Sequence, residues 1–272
     1  MSKTLCITLC GTAIWLAAIM TGRAQVYSSG TNNITTAVTG SIELDGGVLN
    51  IDAGGIVTGS GVGIQVDGGI LNVYGNVTGG SGTFADGITI LGGTVNLYNG
   101  GSITGGEDSG YVEGIIMTSG TLNMYGGSIA SGNGTYAIGI DSSGGQINMG
   151  GGTISGGTGI YAYGISLVQA GLNLQGGTIT SGSGLYNTDL SVNAGGGNRN
   201  STADIFGIHF NEPLGPLTIG SGTLTGTLNN GTALDLTYSQ FPASQIILAP
   251  EPSTVALAGL GAVALWLRRR SK

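Results

Sequence analysis

The chain has 272 residues, 57 of them glycine; 40% are hydrophobic, only 8% are charged, and the formal net charge is −7. Glycine at about three times its usual share without a Gly-X-Y period excludes collagen, and so little charge among so many β-branched residues argues against a disordered chain. Between positions 25 and 249 there are 13 acids and one base, Arg199, a net of −12. A surface almost free of Lys and Arg cannot neutralise phosphates, which excludes a nucleic-acid partner and disfavours an anionic membrane surface.

The N-terminus reads as an export signal. Lys3 precedes an apolar run over residues 5–20, and Gly22-Arg23-Ala24 places small residues where a signal peptidase looks. Residues 1–24 are expected as a signal peptide cut between Ala24 and Gln25. Cys6 and Cys10 both fall inside it, so the mature chain would hold no thiol and no disulfide.

Residues 25–45 are expected as an N-terminal cap, and residues 46–241 as repeats. The repeats show in "GGILNVYGNVTGGSG" from Gly68, "GGTVNLYNGGSITGG" from Gly92 and "GGQINMGGGTISGG" from Gly144. One asparagine recurs at Asn50, Asn72, Asn96, Asn123, Asn148 and Asn173, at spacings of 22, 24, 27, 25 and 25. A period in this range is the mark of a solenoid. Each copy has three short alternating stretches. The first resembles Leu-Asn-Leu, with Leu71 and Val73 inward. The second resembles Thr-Ile-Thr, with Ile103, Ile129, Ile154 and Ile179 inward. The third opens on Gly-Ile, as at Gly87-Ile88, Gly139-Ile140 and Gly164-Ile165. Strand-like alternation and glycine corners predict three strands and three turns per repeat.

The expected fold is all-β: a right-handed parallel β-helix of about six to eight coils, a rod of about 30–40 Å, flanked by an N-terminal signal helix and a C-terminal hydrophobic helix. An insertion over about residues 185–204 is expected to delay the next Gly-Ile strand to Gly207-Ile208-His209-Phe210. Residues 215–241 are expected as a last partial coil and residues 242–248 as a linker.

Stacking would set the asparagines in one row, a hydrogen-bonding ladder or a solvent-facing line. It would also align Thr58, Thr78, Thr104, Thr153, Ser155, Thr178 and Thr180 on an outward face, with Asn76 and Ala130 interrupting it. Such an array of hydroxyls and methyls would suit ice or a polysaccharide chain, although threonine is common at exposed strand positions in any case. The densest acids, Glu107, Asp108 and Glu113, would offer oxygen ligands to Ca²⁺ but read as a solvated loop. His209 is the single histidine and has no second His or Cys beside it in the sequence. Arg199 reads as a solubilising charge. No catalytic residue, metal site or cofactor is expected, since carbohydrate-cleaving chemistry needs clustered acids and the acids here are scattered.

The C-terminus, residues 249–272, reads "APEPSTVALAGLGAVALWLRRRSK". Residues 253–267 would form a helix of about 22 Å, short against a hydrocarbon core of roughly 30 Å. Arg268, Arg269 and Arg270 would keep the tail on the cytoplasmic side. Pro250, Glu251, Pro252, Ser253 and Thr254, the apolar run and the three arginines together resemble the PEP-CTERM sorting signal of Gram-negative bacteria. That resemblance implies recognition by an exosortase, a membrane transpeptidase, with processing near Pro-Glu-Pro and delivery to the cell surface or exopolysaccharide matrix. The tail family is also associated with ice-binding proteins. The body resembles the Gly-rich β-solenoids of autotransporter passengers and surface adhesins. The expected protein is an exported, surface-sorted structural or adhesive solenoid without catalysis, held by the membrane at least until processing. The alternatives are an ice- or glycan-binding solenoid and a polysaccharide-degrading enzyme.

Overall fold

In the computed structural model, residues 25–82, 84–193 and 201–250 are described. The expected signal helix, Ala24 and the hydrophobic C-terminal helix lie outside them. The described chain is all-β: short strands wind into a parallel solenoid, and no helix occurs among the described residues.

Each coil contributes to three faces. The Gly-Ile face is a parallel ladder in which Ile64, Ile88, Ile115, Ile140 and Ile165 succeed one another in register. The Asn face aligns Asn33, Asn50, Asn72, Asn96, Asn123, Asn148 and Asn173. The Ser/Thr face is a separate sheet of seven parallel strands from Ala37–Thr39 to Thr178–Thr180.

Alternation decides which side chains enter. In the coil around Asn96, the residues Ile88, Ile90, Val95, Leu97 and Ile103 are all 0% exposed. Five aliphatic side chains cannot offset the ordering of a whole coil, so one coil is unstable alone and stacking supplies the rest.

Glycines set the corners for two reasons. Gly93, Gly120 and Gly145 have φ of +69°, +80° and +83°, a conformation that costs other residues energy. Gly139 has an ordinary φ but no room. A Cβ there would lie 2.6 Å from the Gly164 carbonyl oxygen and 2.8 Å from both Ile154 Cγ2 and the Ser155 carbonyl oxygen.

The structure revises several boundaries. The stretch expected as a cap is built as a coil: Gln25–Tyr27, Thr31–Ile34 and Ala37–Thr39 pair in register with the strands of the second coil. Only 17 residues separate Asn33 from Asn50, which hid this copy from a period near 25.

The strand expected at Gly207-Ile208 is instead Tyr186–Asn193, where Leu190 pairs with Ile165. The interruption therefore falls after Asn193, and residues 194–200 lie outside the described residues. Asp189 occupies the place of the corner glycine, because the coil above it has changed. Its carboxylate accepts from the Thr237 N–H at 2.7 Å, the Thr237 hydroxyl at 2.8 Å and the Ser181 N–H at 2.5 Å.

Residues 215–241 are not a parallel coil. Gly220–Leu228 runs antiparallel to both Ala233–Gln240 and Thr202–Phe210. Ala233–Gln240 then rejoins the Gly-Ile face against Tyr186–Asn193. The expected linker is also a strand: Gln245–Pro250 pairs parallel with Thr202–Phe210 on the Asn face.

Candidate functional surfaces and the C-terminal motif

The asparagine row is a continuous ladder. Each Nδ2 donates to the Oδ1 of the coil before: Asn50 to Asn33 at 2.7 Å, Asn72 to Asn50 at 2.8 Å, and Asn96, Asn123 and Asn148 to their predecessors at 2.9 Å. Asn173 closes it on Asn148 at 3.0 Å. Every interior amide both gives and accepts, so the row ties coils together and leaves little capacity for a ligand. The row ends where Asp204 pairs with Asn173, and burial pushes the Asp204 carboxyl above its usual range.

The Ser/Thr row gathers as expected. Thr58, Thr78 and Thr104 stack in one column, which continues through Ala130 to Ser155 and Thr180. Thr153 and Thr178 stack in the neighbouring column with Asn76, Ser102 and Ser128. Thr58, Asn76, Thr153, Thr178 and Thr180 are exposed, and Thr78, Thr104 and Ser155 are half-buried. Side chains two apart on a strand and one coil apart on a ladder form a grid of about 6.6 by 4.8 Å.

The acidic trio does not stay together. Glu107 is exposed, in a column of isolated bridges between Ser81 and Asn133. Asp108 accepts the Ser109 N–H at 2.6 Å. Glu113, expected in a solvated loop, is 2% exposed and meets Asp86 of the preceding coil, itself 1% exposed. The Glu113 N–H donates to Asp86 Oδ1 at 3.2 Å, while Asp86 Oδ2 and Glu113 Oε2 are both buried without another donor. One retained proton answers both needs, with the Glu113 carboxyl donating to Asp86. Burial, reinforced by Asp86, pushes Glu113 up to about 9. Asp86 is also raised by burial, but the N–H it accepts favours its ionised form, so the proton rests on Glu113.

Other groupings are visible only in three dimensions. Glu43, Asp45 and Asp67 bring carboxylate oxygens within 4.8 Å of one another at a corner of adjacent coils, where Gln65 Nε2 donates to Asp67 at 2.9 Å. Burial and the charges of Asp45 and Asp67 raise Glu43; Asp45 and Asp67 themselves are exposed. Two tyrosine ladders run along the rod. Tyr74, Tyr98 and Tyr125 stack at 4.3 and 5.3 Å; Tyr111, Tyr136, Tyr161 and Tyr186 stack at 4.3, 4.6 and 5.0 Å. Their recurrence at about 25 residues is a signal present in the sequence itself, parallel to that of the asparagines. His209 is exposed in the antiparallel region, beside Thr227. Arg199 lies outside the described residues. A shallow cleft of about 270 Å³ near the last strand is lined by Pro216, Leu217, Ile219, Ala243 and neighbouring polar residues, none of them titratable.

At the C-terminal end the last strand carries the chain to Pro250, opposite Gly207. Glu251, Pro252, Ser253, Thr254, Arg268, Arg269 and Arg270 lie outside the described residues. Residues 248–271 match the family model described as the PEP-CTERM protein-sorting motif. The chain carries a PEP-CTERM sorting motif. It is accordingly an exported, surface-sorted protein and an exosortase substrate. The PEP-CTERM match covers the tail alone, and no curated protein and no solved structure matches the chain. The motif names a route of delivery; what the solenoid does on arrival must be argued from its surfaces.

Proposed function

We propose that the solenoid is a structural or adhesive element of the outer envelope or exopolysaccharide matrix of a Gram-negative bacterium, without catalysis of its own. The signal peptide exports it, the apolar tail holds it in the membrane until processing, and a surface glycan is its partner. The observation that carries this reading is the run of interlocked coils leading straight into the sorting motif. Its most conspicuous polar groups, the asparagine ladder and the Asp86–Glu113 pair, are engaged with each other, which leaves them little capacity for a ligand. Fractionation of the producing cells, with intact-mass measurement of each fraction, tests it. Protein ending close after Pro250 and recovered in the matrix supports the reading. Protein running through Lys272 and confined to the membrane overturns it.

A second reading has its own support in the register of the Ser/Thr columns. A flat, regular grid of hydroxyls and methyls on a rigid sheet suits an ordered ligand such as ice or an extended glycan. Residues 25–250 are expected to inhibit ice recrystallisation if ice is that ligand, and Thr104→Lys or Thr180→Lys is expected to abolish the effect. Lack of inhibition by the parent protein removes the ice version.

A further inference from the structure

The sorting motif and the folded body overlap. The motif begins at residue 248, and the last strand is Gln245–Pro250. The first three residues of the motif are therefore part of the solenoid.

That strand is held on both edges and from below. Along one edge, Leu248, Ala249 and Pro250 pair parallel with Ile205, Phe206 and Gly207. Along the other, Ile247 and Leu248 pair antiparallel with Pro216 and Gly215, and the Leu217 N–H donates to the Ile246 carbonyl at 2.8 Å. Ile246 and Leu248 are 0% and 2% exposed. The turn entering the strand is clamped by buried polar groups. Gln240 Oε1 accepts the Ile246 N–H at 3.1 Å and its Nε2 donates to the Ser244 carbonyl at 3.1 Å, while Ser244 Oγ donates to the Val192 carbonyl at 2.8 Å.

Enzymes that cut or transfer peptides hold the substrate extended, and added strands use the backbone groups of a free edge. Here one edge is taken as far as Pro250 and the other as far as Leu248. Proline has no N–H with which to continue the ladder.

We propose that the last coil is a stop for processing. It shields the chain through Pro250, the processing enzyme engages the motif only from Glu251 onward, and the released body keeps Gln245–Pro250 whole. The inference rests on the reading of the tail as an exosortase substrate. It adds that the fold, and not the motif alone, sets the upstream limit of cleavage. The structural consequence is direct: a cut upstream of Leu248 would strip that side chain from the core and open the end of the rod, and a cut just after it would remove Ala249 and Pro250 from the ladder with Phe206 and Gly207.

The test is the C-terminus of the product from full-length chains made in the natural host, read by intact mass. The parent is expected to end at or after Pro250. Two variants outside the motif, Gln240→Ala and Ile246→Ala, loosen the strand without touching the signal. Either is expected to raise products ending within residues 245–249 at least tenfold. Gln240→Ala keeps the aliphatic core and serves if Ile246→Ala does not fold. Parent products ending within residues 245–249 overturn the proposal, and so do folded variants that keep the parent's terminus. A parent running uncut through Lys272 overturns the sorting reading as well, which separates the two failures.

Discussion

Replacing Gly139 by alanine is expected to destabilise the solenoid by about 3 kcal/mol, a large effect for one methyl group. The added carbon would meet the Gly164 carbonyl oxygen at 2.6 Å and the Ser155 carbonyl oxygen at 2.8 Å. Both belong to backbone already committed to hydrogen-bonded ladders, so neither gives way as a flexible side chain would. Ile154 Cγ2, at 2.8 Å, sits in the core and has no free space to turn into. Relief requires spreading two coils that repeat the same contact at Gly114 and Gly164. Gly61→Ala is the control: a Cβ there finds only the Phe84 carbonyl oxygen at 3.6 Å, and a change within about 0.5 kcal/mol is expected. Urea unfolding of residues 25–250 measures both. Equal midpoints for the two variants would show that the corner yields, and that tight coil stacking does not explain this glycine.

Raising the pH from 5 to 9 is expected to lower the stability of the body, and Glu113→Gln is expected to remove a large part of that loss. The Glu113 carboxyl rises from 4.5 to about 9 on folding. Below about pH 4.5 it is protonated in both folded and unfolded chains, and its contribution is whole. As the pH climbs, the unfolded chain releases its proton while the folded chain keeps it. Stability then falls by up to about 1.4 kcal/mol per pH unit per group, and levels off above pH 9. Burial raises Asp86, Asp141 and Asp204 as well, which adds to the slope in the same direction. Glutamine retains a donor for Asp86 Oδ2 but has no proton to lose. At pH 8 the variant is therefore expected to be more stable than the parent by on the order of 3 kcal/mol, and near pH 4 about equal to it. Thermal melts across this range decide it. Parallel pH profiles for parent and variant would mean that Glu113 titrates normally and shares no proton with Asp86.

The parts of this protein that repeat were legible in the chain itself. Alternating Leu-Asn-Leu, Thr-Ile-Thr and Gly-Ile stretches named the three faces and their inward residues, because a strand exposes every second side chain whatever surrounds it. A near-constant period then placed Asn50 over Asn72 and Thr58 over Thr78, since identical coils stack in register. The tail was legible too, because a sorting signal is read as linear sequence. What breaks the period was not. Glu113 looked like a loop acid until the coil before it supplied Asp86, 27 residues upstream. The 17-residue spacing of the first coil hid it, and Asp189 in a glycine's place announced a change of course without showing where the chain went. The antiparallel return of Gly220–Leu228, and the docking of Pro250 beside Gly207, follow from which edges remained unpaired at the end of the stack. Local alternation and period determine a coil and its faces; closing the end of the rod depends on backbone edges far apart in sequence, and only the tertiary structure brings those together.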